Sequence, residues 1–281
     1  KIMDDKFAVI GGSGGYDILR DGNFGDDLDC KKVLTPFGES APVHRFSKNG
    51  ISFLFLSRHG EERYSASAPF VNYRANIWAL KECGVNRIFS WSGPGIINKE
   101  LSTGDFVLPH DLIDETKNRD YTFFEKKGIG FIRQKSPFCE EIRKVLRSTI
   151  QQLNLKLHEK GVYVCTQGPR LETPAEINKY KISGGDMVGM TLVPEAFLAR
   201  ELEMCYAPAC YLTNYAEGVL DRSIETGELF EGMVNNEEKT KIDESVKQFP
   251  AIIQKLVMTM QSVKRSCHCK DAMLRYKKEG V

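Results

Sequence analysis

The stretch Val188-Gly189-Met190-Thr191-Leu192-Val193-Pro194-Glu195 decides how the rest of the chain is read. Before it, Asp186-Met187-Val188 predicts a short apolar strand; after it, residues 195–202 (EAFLAREL) predict an amphipathic helix. Open α/β sheets place ligands where a strand ends and the chain turns. A Thr at that point offers a hydroxyl donor to an anion, and the Met beside it can pack on an apolar sugar face. An ordinary strand-to-helix turn has the same local sequence, so the reading depends on whether similar strand ends recur.

They do recur. Residues 7–10 (FAVI) run into Gly11-Gly12-Ser13-Gly14-Gly15, and residues 51–56 (ISFLFL) end at Ser57-Arg58-His59-Gly60. Residues 87–90 (RIFS) lead to Trp91-Ser92-Gly93-Pro94-Gly95. Residues 161–165 (GVYVC) enter Thr166, and residues 207–212 (APACYL) enter Thr213-Asn214-Tyr215. Between these runs the period changes to that of a helix. Residues 72–83 space Ala75, Ile77, Trp78 and Leu80 helically, with Gly84 as C-cap, and residues 139–153 put Ile142, Val145, Leu146, Ile150 and Leu153 on one face. Residues 105–108 and 112–113 read as paired strand pieces, and residues 237–263 as a long amphipathic helix interrupted near Pro250. Strands alternating with helices predict an α/β sandwich around a largely buried sheet.

Composition sets the outer bounds. With 281 residues, 41% of them hydrophobic, the chain can fill one large α/β core or two small ones. No Pro/Ser/Gly-rich linker or internal repeat divides it, so one domain is expected over 1–281, with a C-terminal helix and tail from about 237. A formal net charge of +1 gives no case for nucleic acid or an acidic membrane surface as partner. No apolar run approaches the ~20 residues of a membrane span, and the first residues carry no signal-peptide apolar region. The expectation is a cytoplasmic protein. Eight cysteines are scattered along the chain without a pair of C-x-x-C elements, so no metal site is expected. Cys267-His268-Cys269 stays open between a redox or metal-binding pair and a plain tail.

The strand ends carry the candidate chemistry. The glycine turn lacks the Lys of a P-loop, and Asp17 stands where a dinucleotide fingerprint needs its third Gly. What remains is either a plain turn or one whose N–H groups and Ser13 hydroxyl hold a small anion. Arg58 offers a fork of donors suited to phosphate and His59 a ring N–H; a surface Arg with a half-buried His is the alternative. Ser92, Gly93 and Thr191 add hydroxyls and open backbone. Together they point to a free inorganic oxyanion held by hydroxyls, backbone N–H and one Arg. Glu172 and Asn214 have the chemistry to read the edge of a heterocycle, as well as commonplace roles at a helix start and in a turn.

These pieces in this order resemble the nucleoside phosphorylase family that includes trimeric purine nucleoside phosphorylase and methylthioadenosine phosphorylase. The matching segments are Gly11-Gly-Ser-Gly14, Thr35-Pro-Phe-Gly38, Arg58-His-Gly60, residues 71–80 (VNYRANIWAL), Gly168-Pro-Arg170 with Glu172 and Glu176, Gly189-Met-Thr-x-Val-Pro-Glu195, and Thr213-Asn214. They cover most of residues 7–220. The resemblance implies a three-layer α/β/α sandwich with a central mixed sheet, and a homotrimer. It implies phosphorolysis of purine nucleosides with inorganic phosphate as co-substrate and no metal or organic cofactor. By position it assigns Ser13, Arg58, His59, Ser92 and Thr191 to phosphate and Met190 to ribose. Gly93, Leu171, Glu172 and Asn214 fall to the base, and Phe131 to the neighbouring subunit's pocket. Asn214 and His59 are the catalytic candidates.

The resemblance also carries a base preference. The adenine-selective branch has Asp at the Asn214 position and a second Asp where Ala216 stands, so Asn214 favours 6-oxopurines such as those of inosine and guanosine; Glu217, one residue on, is a further polar group there. Leu171 replaces the usual stacking aromatic, Arg63-Tyr64 stand near where relatives carry another His, and Pro94 is unusual in its loop. Phe230, Met233 and Val234 hint at an apolar 5′ pocket, which would suit a 5′-methylthio nucleoside. A family member that binds purines without turning them over is the non-enzyme alternative.

Overall fold

The computed structural model describes residues 6–62, 65–126, 128, 130–227 and 232–274. In chain order, the first half comprises β1 (Lys6–Gly11), α1 (Gly15–Arg20), β2 (Asp26–Lys31), β3 (Leu34–Thr35), β4 (Gly38–Glu39), β5 (Val43–Lys48), β6 (Ile51–Ser57), α2 (Tyr73–Glu82), β7 (Val85–Ser92), β8 (Gly95–Ile96), β9 (Phe106–Val107) and β10 (Asp111–Glu115). The second half comprises α3 (Glu140–Gln152), β11 (Leu157–His158), β12 (Val162–Thr166), α4 (Pro174–Ile182), β13 (Met187–Gly189), α5 (Leu192–Glu201), β14 (Cys205–Tyr211), α6 (Asn236–Val246) and α7 (Phe249–Ser262).

The main sheet is mixed and eight-stranded, in the order β11-β9-β14-β7-β1-β6-β5-β2. Its centre, β14-β7-β1-β6, is parallel, so Gly11, Ser57, Ser92 and Tyr211 all end at one edge. β1 is the central strand from which the order runs both ways, as at a topological switch point. Its side chains show why the sheet needs two helical layers. Phe7 and Val9 enter a core shared with Ile142, Leu146 and Ile150 of α3 and Phe249, Ile253 and Leu256 of α7. Ala8 and Ile10 enter the opposite core, with Ile77 and Leu80 of α2 and Leu198 and Ala199 of α5. This period-2 division of a strand that is apolar from Phe7 onward is what a sheet buried on both faces requires. The expected α/β/α sandwich with a mixed sheet is therefore the fold.

A second, four-stranded sheet, β10-β12-β13-β8, lies beside it. Ile177 and Tyr180 of α4 pack against Val164 and Val188 of that sheet. A capping box opens α4: Thr173 Oγ1 accepts from the Glu176 N–H, and the Glu176 carboxylate accepts from the Thr173 N–H at 2.8 Å.

One expectation is corrected. Residues 105–108 and 112–113 do not pair with each other. β9 lies between β14 and β11 in the main sheet, whereas β10 pairs with β12 in the smaller one. Pro109 separates them, and the next residue, His110, gives its N–H to Gly161 O at 3.0 Å, directing the chain into the second sheet. The C-terminal helix is interrupted near Pro250 as expected, forming α6 and α7; the break falls just before that residue, because proline sits comfortably in a first helical turn. Among the described residues no helix is long and apolar enough to cross a membrane.

Candidate active site

The parallel strand ends of the main sheet, the end of β13 and the loop after β12 face a common cavity of about 330 Å³. Ser13, Arg58, His59, Ser92 and Gly93 contribute from the main sheet, and Met190 and Thr191 from the turn after β13. Leu171, Glu172, Asn214, Ala216, Glu217 and Met233 complete the wall. Every phosphate, ribose and base candidate from the sequence lies here. Phe131 does not; it is 73% exposed to solvent.

The oxyanion end is wired through buried charge. Arg58 Nε and Nη2 donate to the two Glu195 carboxylate oxygens at 2.6 and 2.7 Å. Nη2 also donates to Ser90 Oγ at 2.6 Å, and Nη1 to the Trp91 carbonyl at 3.3 Å. Burial opposes the guanidinium charge, but the Glu195 charge and hydrogen bonds outweigh it and raise the pKa. This corrects the reading of Arg58 as an open fork. Its two-pronged face is taken by Glu195, since a buried cation needs a buried partner. Of five N–H groups, one on Nη1 remains, beside the glycine turn. A Cβ on Gly12 would lie 3.2 Å from that Nη1 and only 2.4 Å from the Trp91 carbonyl, so only glycine lets the turn approach so closely. Trp91 Nε1 and Tyr211 Oη both donate to Ser13 O, at 3.2 and 3.1 Å, and hold the turn against the strand ends. Ser92 Oγ lies 3.1 Å from Tyr163 Oη and 3.2 Å from Thr191 Oγ1, a chain of hydroxyls reaching from β7 to the start of α5.

His59 donates from one ring nitrogen. Its Nδ1 lies 2.9 Å from the Ala66 carbonyl, which can only accept, so Nδ1 carries the proton. Burial, followed by the Arg58 charge, lowers its pKa to about 4. At neutral pH the ring is therefore uncharged and its Nε2 bears a lone pair. Such a nitrogen can accept a hydrogen bond but is too weakly basic to hold a proton near neutral pH.

The base end is built from loops. Thr166 Oγ1 donates to Glu172 Oε1 at 2.5 Å, which orients the carboxylate. Asn214 Oδ1 accepts from Thr213 Oγ1 at 2.8 Å while Nδ2 donates to the Tyr215 carbonyl at 3.1 Å. A carbonyl on one side and a hydroxyl on the other fix the sense of the amide and leave one Nδ2 hydrogen uncommitted. Leu171 is 46% exposed at the mouth. Gly168, at φ 62°, packs so closely on Met190 that a Cβ there would lie 2.4 Å from its sulfur. Pro94 does not disrupt its loop; its carbonyl accepts from the Thr213 N–H at 3.1 Å. Met233 reaches the cavity wall, Val234 is buried away from it, and Arg63-Tyr64 and Phe230 lie outside the described residues.

Sequence reasoning missed two residues that hold this arrangement. Glu195 reads as the first carboxylate of a helix, yet it accepts from Arg58, from Ser90 Oγ at 3.1 Å and from Tyr206 Oη at 2.6 Å. Arg119 lies in a polar run without periodicity. Buried, it donates to the carbonyls of Thr166, Gln167, Met190 and Val193 at 2.5–3.0 Å, tying the β12 end to the β13 turn. The one signal in sequence was an Arg in a segment flanked by strands; nothing there named its partners.

Comparison with known proteins agrees with the geometry. The family described as the phosphorylase superfamily matches residues 6–257. A probable 6-oxopurine nucleoside phosphorylase of Dictyoglomus turgidum is 40% identical over 98% of this chain and 99% of its own. The 6-oxopurine nucleoside phosphorylase of Pyrococcus furiosus is 41% identical over 95% and 97%. Among solved structures, the methylthioadenosine phosphorylase of Schistosoma mansoni in complex with adenine superposes with a TM-score of 0.80 at 28% identity, covering 92% of this chain and 93% of its own. With strand ends, cavity and sequence in agreement over nearly its whole length, the chain belongs to the phosphorylase superfamily.

Proposed function

We propose that this enzyme cleaves purine nucleosides by phosphorolysis, preferring 6-oxopurines, and releases free base and ribose 1-phosphate. The observation that carries the preference is the fixed amide of Asn214 on the same cavity wall as Glu172. A 6-oxopurine presents O6 and N7 as acceptors and N1–H as donor. The uncommitted Asn214 N–H matches the first edge and the Glu172 carboxylate the second. Adenine inverts that pattern at N1 and the 6-position, leaving buried groups mismatched.

In the reaction a phosphate oxygen forms a bond to the anomeric carbon as the bond from that carbon to the purine nitrogen breaks, and the bonding pair leaves with the base. Ser13, Thr191 and the remaining Arg58 N–H hold the phosphate, His59 Nε2 accepts a hydrogen bond from its hydroxyl, and the departing base takes up a proton from solvent. The phosphate charge stabilises the cationic sugar, Met190 lies against the ribose, and the Asn214 hydrogen bond strengthens as the base gathers negative charge. Phosphate serves as co-substrate in this scheme, with no other cofactor assigned.

Purine release from inosine and guanosine, measured with and without phosphate, tests the reading. Phosphate-dependent release exceeding that from adenosine supports it; release undiminished without phosphate means a nucleosidase, and binding without turnover a non-catalytic protein. Met233 on the wall favours a second reading, a 5′-methylthio nucleoside as substrate. 5′-Methylthioinosine and 5′-methylthioadenosine in the same assay separate it from the first. The exposed Phe131 ring supports a homotrimer in which it reaches the neighbouring copy's pocket; mass from light scattering checks the assembly. Cytoplasmic purine salvage is the accompanying proposal, in keeping with eight cysteines present as thiols.

A further inference from the structure

Four cysteines from three distant segments meet away from the nucleoside cavity. Cys139 precedes α3, Cys205 opens β14, and Cys267 and Cys269 flank and enter the 3₁₀ turn His268–Asp271. Their Sγ atoms all lie within 4.8 Å of one another. Cys205 and Cys267 approach to 3.3 Å. A zinc ion bound by four thiolates at about 2.3 Å sets its sulfurs ~3.8 Å apart, which falls between these two distances.

We propose that Cys139, Cys205, Cys267 and Cys269 form a tetrathiolate site for one zinc ion, which fastens the C-terminal segment to the start of α3 and the edge of β14. Two features of the surroundings favour it. Cys139 is the N-cap of α3, a helix of 13 residues, and its thiol makes no capping hydrogen bond; the positive end of the helix favours a thiolate there. Arg265 donates from Nε to Cys205 Sγ at 3.1 Å, offsetting part of the negative charge that four thiolates leave around a divalent ion. Metal binding would displace the thiol protons.

The sequence expectation of no metal is revised accordingly. It rested on the lack of paired C-x-x-C elements, whereas here one C-x-C supplies two ligands and the fold brings in the other two. Plain burial of small apolar thiols accounts for Cys165 and Cys210, which are separate from the cluster. It does not call for four sulfurs to converge.

The test uses the full chain, produced in zinc-supplemented medium and purified without chelator, with metal counted by plasma mass spectrometry. The expected result is about one zinc per chain, falling below about a tenth in Cys267→Ser and in Cys269→Ser but unchanged in Cys83→Ser. Cobalt(II) titrated into the chelator-stripped, reduced wild-type protein gives a readout free of any variant. Saturation near one equivalent, with sulfur-to-cobalt charge-transfer and tetrahedral d–d bands, is expected. Wild-type protein that retains no zinc and develops no such bands, whether its sulfurs are found as free thiols or as cystine, overturns the proposal.

Discussion

The two ends of the nucleoside cavity are made differently. The oxyanion end sits on strand termini of the main sheet, and its key charge, Arg58, is buried against Glu195, Ser90 and Tyr206 before any ligand arrives. The base end is carried by loops after β12 and β14, half-open at Leu171; Glu172 is oriented by one hydrogen bond from Thr166, and Asn214 by two, from Thr213 and to the Tyr215 carbonyl. On the proposed reading, a rigid seat for phosphate is joined to an adjustable cradle for the purine. Substitutions at the first end should cost stability and turnover together, and those at the second should change selectivity while the fold persists.

The sharpest way to break this contrast is Glu195→Gln. It leaves the buried Arg58 cation without its counter-charge, a loss of about 3–5 kcal/mol in general. Denaturant unfolding should show a large fall in midpoint together with lost phosphorolysis; an unchanged midpoint would mean that the oxyanion end is not pre-wired. Next, Asn214→Ala removes a single hydrogen bond to the leaving base. A loss of about 10²–10³ in kcat is expected from steady-state inosine kinetics, with unfolding unaffected. Asn214→Asp should instead shift the inosine-to-adenosine ratio of kcat/KM towards adenosine.

A pH series sharpens the comparison at His59. Its folded pKa of about 4 lies below the ordinary 6.5, so the unfolded chain binds its proton first on acidification. The contribution is fully present above pH 6.5 and is lost progressively as pH falls towards 4, by roughly 3 kcal/mol in all. The difference in unfolding free energy between wild type and His59→Asn should therefore slope between those pH values and be flat above them. The smallest effect belongs to the cradle. Leu171→Phe restores a ring over the base, worth about 0.5–1.5 kcal/mol, and should lower the inosine KM several-fold with kcat nearly unchanged.

The same division governs how much could be read from sequence. Strand ends such as Gly11-Gly12-Ser13, Arg58-His59 and Ser92-Gly93 are local signals, an apolar run followed by turn and hydroxyl residues, and they place the cavity correctly. Partners distant in the chain leave no local trace. Glu195 is 137 positions from Arg58, and its meeting with that residue depends on how α5 packs beneath the sheet. Arg119 serves four backbone carbonyls, groups every residue carries, so no side-chain pattern announces it. Composition could not separate the second sheet from the first, because β9 and β10 are both short and only three residues lie between them. The tautomer of His59 likewise follows from the Ala66 carbonyl, which sequence proximity alone does not bring to Nδ1.

The most direct test is a crystal structure of the protein with phosphate and hypoxanthine bound together. The account predicts phosphate within hydrogen-bond reach of Ser13, Thr191, Arg58 Nη1 and His59 Nε2, and the purine with its O6/N7 edge on Asn214 Nδ2 and N1–H on Glu172. Phosphate seated instead in the adjoining depression lined by Lys117 and Arg170, or a purine turned with its sugar-bearing nitrogen away from Met190, would contradict it.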